Sequence, residues 1–302
     1  MSSTDPVRQH FVPRGYLSSW ACGVGAQPGW VWRFDRELTR VDLKSPRKIL
    51  REAHIYTTRA PDGTHDYRFE RFLQEREDAF YTVRQKLLAH EMLDTPEWVD
   101  LLAFTAAARV RTQINRDRHR AQWGQVVKIG EEMMSKLSEM SPDARSQFAK
   151  MQPASGKSNG LTLDQARKLR DEPIQTTLVP AIKKLVERFD RMEAAVLFAQ
   201  GSARFITSDN PCVFYDANAR ARPPLRAFPD IASPTFEVSM PLSPIACLRL
   251  GPKRTGHYAV SDDNVVAINN RTAAAAARFL VATTREGWPP HCGPADWRLG
   301  VD

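Results

Sequence analysis

The chain has 302 residues, 42% of them hydrophobic and 26% charged, and its 43 Lys and Arg against 35 Asp and Glu leave a formal net charge of +8. Those figures suit a folded globular chain of one or two domains and exclude a disordered one. Apolar runs such as residues 101–108 fall far short of the roughly 18–20 residues a membrane span needs, so no transmembrane helix is expected.

Residues 1–13 hold no basic segment followed by an apolar stretch and a small-residue cleavage site, so no secretory signal is expected. The four cysteines, Cys22, Cys212, Cys247 and Cys292, stand far apart without Cys-x-x-Cys spacing. That pattern argues against a zinc ribbon or a disulfide framework and fits a reducing cytoplasm. The positive balance favours an anionic partner. Arg109, Arg111, Arg116, Arg118 and Arg120 form one cluster, and Arg220, Arg222 and Arg226 a second in a proline-rich loop. Such clusters either neutralise the phosphates of nucleic acid or a nucleotide or form a solvated surface.

In chain order, residues 7–12 read as a short extended piece that sets His10 beside Phe11 and Val12. Pro13 then starts a helical turn carrying Tyr16, Leu17 and Trp20. Residues 30–35 alternate as a strand, 36–39 turn, and 40–43 return as its hairpin partner, after which Ser45-Pro46 opens a short helix to about Glu52. From Asp66 to about His90, apolar residues at helical intervals (Phe69, Phe72, Leu73, Phe80, Val83, Leu87) predict a long helix. Glu70 and Glu77 share one of its faces, separated by about 10 Å along the axis, too far to share a proton. Thr95-Pro96-Glu97 predicts the start of a second helix to about Trp123, whose uncharged stretch 101–108 passes through the core. Arg109 and Arg111 follow directly. A buried guanidinium there needs carboxylates or carbonyls, and Glu70 or Glu77 is the obvious supplier.

Residues 125–151 continue helical, with Met133, Met134, Leu137 and Met140 as core filler. Residues 153–160 read as a flexible loop, and Gly156-Lys157-Ser158 within it is no phosphate loop because Met151 stands where the first glycine is required. Helices follow over 163–171 and 174–190. Residues 194–198 and 204–207 are expected to form a hairpin over Gln200-Gly201 that delivers a polar stretch, Thr207 to Pro211, flanked by strand formers. A strand ending there aims Ser208, Asp209 and Asn210 outward as a pocket wall; the alternative is an Asx-type turn without chemistry. Strands over 236–240 and 245–250, interrupted by Pro241-Leu-Ser-Pro244, precede a helix from Asp262 to Leu280 overlapping a strand at 279–283. An irregular tail begins near residue 286. Helix-patterned and strand-patterned segments are segregated along the chain, which predicts an α+β fold in a single domain over residues 1–302. The helical segment, about 66–190, would pack on a mixed or antiparallel sheet built from early and late strands.

Several of these stretches, in their order, resemble a mostly bacterial family catalogued as domain of unknown function 4238, across roughly residues 8–285. They are Gln9-His10-Phe-Val-Pro13-Arg-Gly-Tyr16-Leu17, Tyr56 ahead of a helix bearing Glu70 and Glu77, and Arg111-Thr112. Ile206-Thr-Ser-Asp-Asn-Pro211, Pro241-Leu-Ser-Pro244 and Asn269 before the alanines complete the set, with Cys212 standing where an aliphatic residue is usual. The resemblance implies relatives and no reaction.

The polar residues among them form a hydrolase-like inventory if they converge in one pocket. His10 would move a proton, Asp209 would orient it or activate water, and Ser208 and Asn210 would position the substrate. Arg111 and Arg109, with Glu70 and Glu77, would make the substrate-binding set, Arg111 clamping a phosphate bidentately. His10, Asp209 and Glu70 alternatively suit a divalent cation, whereas a single ligand-type histidine disfavours zinc and the missing Gly-x-Ser-x-Gly elbow disfavours a serine triad. The expectations are a hydrolase or nuclease acting on nucleic acid or a nucleotide phosphodiester, or a non-catalytic binding or interaction module such as one in a defence or toxin system. Against both stands a structural role, with His10, Arg111, Glu70 and Asp209 as buried hydrogen-bonding groups that fix the core.

Overall fold

The computed structural model describes residues 8–22, 29–59, 64–151, 160–223, 228–252 and 255–285. The described chain opens with β1 (Arg8–His10), α1 (Arg14–Leu17), β2 (Val31–Asp35), β3 (Val41–Lys44), β4 (Arg51–Ala53), β5 (Thr58–Arg59) and β6 (His65–Asp66). Six helices follow: α2 (Arg68–Leu88), α3 (Thr95–Val110), α4 (Gln113–Glu139), α5 (Pro142–Met151), α6 (Leu163–Asp171) and α7 (Pro173–Phe189). The last third holds β7 (Glu193–Ala199), β8 (Thr207–Ser208), β9 (Val213–Asp216), β10 (Phe236–Ser243), β11 (Ala246–Gly251) and β12 (Gly256–Val260), then α8 (Asp262–Ala275) and β13 (Phe279–Ala282). The fold is α+β, as the segregation of patterns predicts. No helix among the described residues is long and apolar enough to cross a membrane.

The β1–β4 and β5–β6 strands form two-stranded antiparallel pairs, and two larger sheets hold most of the strands. One runs β12-β7-β11-β10-β9, antiparallel except for the parallel β12–β7 pair, and the other runs β3-β2-β13-β8, antiparallel throughout and built from early and late strands. Pro241 lies inside β10 rather than ending it. A bulge between Pro241 and Ser243 absorbs the residue that cannot donate to the ladder.

One hydrophobic cluster joins α2 (Leu73, Phe80, Val83), α3 (Leu101, Phe104) and α7 (Leu178, Ile182) to Val238, Met240 and Leu248 of the larger sheet. The uncharged turns of α3 are buried on all sides, as their sequence predicts. Phe80 and Phe104 stack at 3.6 Å between centroids, and each such side chain contributes about 1.5–3 kcal/mol through burial. Asp94 caps α3, taking a hydrogen bond from Glu97 N while the Glu97 carboxylate accepts from Asp94 N, one residue earlier than the Thr95 start read from sequence.

Five local expectations are corrected. The helix predicted over 95–123 breaks at Arg111-Thr112, because Thr112 turns extended and its hydroxyl accepts from Asn115 N, starting a new helix. Residues 194–198 pair with β11 and β12 and not with 204–207; the carboxylate of Asp262 takes the amides of Ser202 and Ala203 and holds that segment out of the ladder. After Ser45 comes only a 3-10 turn, Pro46–Lys48, before β4. The helix from Asp262 stops at Ala275, and β13 begins after it. Met133 and Met134 are 53% and 61% exposed rather than core filler, since Val127 is the buried residue of α4, which packs along α6. The loop expected at 153–160 falls outside the described residues except for Gly160, and the tail from 286 lies wholly outside them.

Candidate functional site

The polar stretch at the end of β8 is used locally. Thr207 and Ser208 pair with Val281 and Leu280 of β13, and the Thr207 hydroxyl lies 2.9 Å from the hydroxyl of Tyr16, which also donates to Pro241 O. Asp209 is buried, and its carboxylate accepts three backbone amides: Oδ1 from Ala277 at 2.8 Å, Oδ2 from Arg278 at 2.7 Å and Phe279 at 3.0 Å. Burial pushes its carboxyl up, and the three amides offset only part of that rise. Asn210 donates its side-chain amide to Ala275 O at the end of α8, and its backbone amide donates to Ser208 Oγ. Ser208, Asp209 and Asn210 therefore staple the α8–β13 connection onto β8.

A second network forms where β1 meets the α3–α4 break. Gln9 donates to Thr57 Oγ1 at 2.9 Å and to Glu70 Oε2 at 2.5 Å, and accepts Tyr56 N at 2.8 Å. Arg111 is buried with each nitrogen of its guanidinium engaged: Nη1 with Glu77 Oε1 at 2.7 Å, Nη2 with His10 O at 2.6 Å and Nε with Tyr56 Oη at 3.1 Å. Burial alone would lower its pKa; Tyr56 and Glu77 outweigh that and raise it. Glu77 is thus the carboxylate that α2 supplies, and Arg111 is buried with its charge already paired.

His10 sits in the same network through its carbonyl, and its ring nitrogen Nε2 lies 3.3 Å from Pro46 O. Burial lowers the imidazole pKa, the Pro46 contact opposes this, and nearby Arg51, Arg111 and Arg14 lower it further, which favours the neutral ring. Burial raises the Glu70 carboxyl; the Gln9 hydrogen bond opposes this and Glu77 reinforces it. Glu70, Glu77, His10 and Arg111 therefore belong to one assembly, and Ser208, Asp209 and Asn210 to another. No hydrogen bond or ion pair among the described residues joins the two. His10, Asp209 and Glu70 each have these separate partners, and among the described residues no three His, Cys, Asp or Glu are grouped to hold a metal ion.

A cleft opens elsewhere on α2. It has a volume of about 670 Å³ and is lined by Arg14, Ser18, Ser19, Tyr81, Arg84 and Gln85, among others. A smaller cavity of about 180 Å³ shares Tyr81 and Arg84 with it and adds Glu77. Arg84 follows Val83 and precedes Leu87 on the core-facing side of α2, so the residue is only 5% exposed. Nη1 donates to Gly15 O at 3.4 Å and to Ser19 Oγ, while Nε is buried without a partner, and no carboxylate pairs with it among the described residues. Burial lowers its pKa, yet an arginine stays charged. Sequence reasoning missed Arg84. The readable signal was an arginine set between the apolar positions Phe80, Val83 and Leu87 of an amphipathic helix.

The sequence pattern of the family described as a protein of unknown function, DUF4238, matches residues 8–286. The chain belongs to that family. No curated protein and no solved structure matches it. In this DUF4238 protein the arginine cluster at the α3–α4 junction is sorted by pairing. Arg116 binds Glu52 and Asp117, Arg120 reaches Asp171 O, and Arg111 holds Glu77. Arg109 instead lies over the ring of Phe214 at 4.3 Å, and neither it nor Arg118 forms an ion pair among the described residues. Of the second cluster, Arg222 pairs with the buried Asp216 at 2.7 Å, and Arg226 lies outside the described residues.

Proposed function

We propose that this DUF4238 protein binds a phosphate-bearing ligand of the nucleotide or nucleic-acid class in the cleft beside α2. The observation that carries this reading is Arg84, a buried guanidinium on a cleft wall without an anionic partner. Taking a cation out of water costs several kcal/mol unless an opposite charge or a full set of acceptors compensates, and two neutral oxygens on Nη1 with the rings of Phe80 and Tyr81 at 5.8 and 5.4 Å compensate only in part. An oxyanion in the cleft would complete the set, with Ser19 as a hydroxyl donor and Arg14 at the exposed rim. The net charge of +8 would steer such a ligand inward. Calorimetric titration with inorganic phosphate, a nucleotide and a short oligonucleotide at several salt concentrations tests it. Binding should weaken as salt rises and be lost in Arg84→Met; absence of binding to all three probes would reject the reading.

A hydrolase is the second reading, supported by one contact: Glu77 lines the small cavity that also holds Arg84. A carboxylate held by Arg111 there suits a general base that activates water against a bound phosphate. Cleavage of a phosphodiester by the parent protein, lost in Glu77→Gln while the variant stays folded, would support it. An inactive parent would leave binding alone.

A further inference from the structure

We infer that the cleft takes a nucleoside phosphomonoester, its phosphate on Arg84 and its base against Tyr81, an assignment that rests on the phosphate-binding reading above. The unpaired positive charge is concentrated at one point. Arg84 is 5% exposed, with Ser19 on its Nη1, and Arg14 is the one other cation lining the cleft. A protein that tracks a polynucleotide backbone needs a row of exposed cations along a groove. Here the remaining lining includes Gln85, Leu88 and Ser243, and the adjoining cavity presents Glu77 and Asp78, which would repel a continuing phosphodiester. The charge pattern suits one terminal phosphate.

Tyr81 supplies the second half of the site. It is 57% exposed, three residues before Arg84 and therefore on the same face of α2, and its ring centroid lies 5.4 Å from the Arg84 guanidinium carbon. With the Arg84 guanidinium over one face of that ring, a base would take the ring's exposed side while the phosphate meets the guanidinium. A cleft of about 670 Å³ is also in the size range of small-ligand sites.

Calorimetry on the full chain tests this with adenosine 5′-monophosphate, adenosine, inorganic phosphate, and one short oligonucleotide with and without a 5′-phosphate. The monophosphate should bind at least about tenfold tighter than either adenosine or phosphate, and the 5′-phosphate should strengthen oligonucleotide binding by a similar factor. Comparison of the monophosphate with the phosphorylated oligonucleotide tells whether a free nucleotide or a strand end is preferred. Tyr81→Ala, at an exposed position that leaves the core intact, should weaken the monophosphate about tenfold and inorganic phosphate, which meets only Arg84, far less. Equal binding of oligonucleotides with and without the 5′-phosphate, or indifference of the monophosphate to Tyr81→Ala, would overturn the inference while phosphate binding stood. Failure of every probe, phosphate included, would overturn both.

Discussion

Replacing Asp209 with asparagine exchanges one carboxylate oxygen for an NH2 group at a point where three backbone amides converge. The shape is conserved, so no cavity opens and the cost is one of hydrogen bonding. If the remaining oxygen keeps Arg278 N and Phe279 N, the amide of Ala277 faces a second donor and loses its partner. One buried unsatisfied donor costs about 1–3 kcal/mol. Relief from burying a charge, the cause of the upward shift of the Asp209 carboxyl, offsets part of this and favours the lower half of that range. At roughly 2.1 cal/mol/K per residue the unfolding entropy of the chain is about 0.6 kcal/mol/K, so Tm should fall by about 2–3 °C. Thermal unfolding followed by circular dichroism measures this, alongside phosphate binding, which should be unchanged. A variant as stable as its parent that had lost ligand binding would show Asp209 to be functional and refute the stapling role.

Arg111→Met should cost about 3–5 kcal/mol in urea denaturation, because Glu77, the His10 carbonyl and the Tyr56 hydroxyl all lose a partner; a loss below about 1 kcal/mol would contradict the strut role. Asp216 predicts acid sensitivity. Burial pushes its carboxyl up, but Thr235, the amides of Asp230 and Asn218, and Ser233 outweigh this and hold it well below its ordinary value of 3.8. Its folded pKa is the depressed one, so its contribution is present above the unfolded pKa and is lost as pH falls below about 4. Asp216→Asn should therefore be less stable at pH 7 and lose less on acidification, as chemical denaturation at pH 7 and pH 3 would show; parallel losses in both proteins would exclude Asp216 as a source.

How much of this was legible depended on whether a residue's partner was near in sequence pattern. Phe69 to Leu87 announced α2 because the helical period is local, and Arg111 with the α2 carboxylates was readable because a buried guanidinium requires an acid. The α3–α4 break was hidden because Thr112 sits between two strong helix patterns, and its capping signal was outweighed by them. Asp209 misled for a related reason. A buried acid at a strand end suggests chemistry, and its actual partners, the amides of Ala277, Arg278 and Phe279, belong to a segment that carried no mark of needing a staple. The α7-to-β8 stretch misled because Gln200-Gly201 has hairpin chemistry, while β12, the strand that in fact flanks β7, was not recognised at all.

Helix α2 carries residues of the Arg111 network and of the cleft on one stripe. At 100° per residue, Glu70, Glu77, Tyr81 and Arg84 fall within about 60° of each other, and 1.5 Å per residue sets Arg84 about 10 Å along the axis from Glu77. The stripe passes from paired to unpaired: Glu70 holds Gln9, Glu77 holds Arg111, and Tyr81 and Arg84 face the cleft. That spacing separates the two functional readings. A general base must lie within about 3 Å of the water it activates, so catalysis requires the long Arg84 side chain to lean toward Glu77, as helical side chains lean toward the N-terminus. With binding alone, Glu77 acts on the anion only through its field. At about 10 Å with an effective dielectric between 20 and 80, that repulsion is about 0.4–1.7 kcal/mol before screening, and salt reduces it by more than half. Glu77→Gln, whose side-chain oxygen can still accept from Arg111, should then tighten phosphate binding about twofold. Titrations of parent and variant in the same buffer decide the matter: tighter or equal binding keeps Glu77 outside the chemistry, whereas weaker binding together with a lost turnover would place it inside.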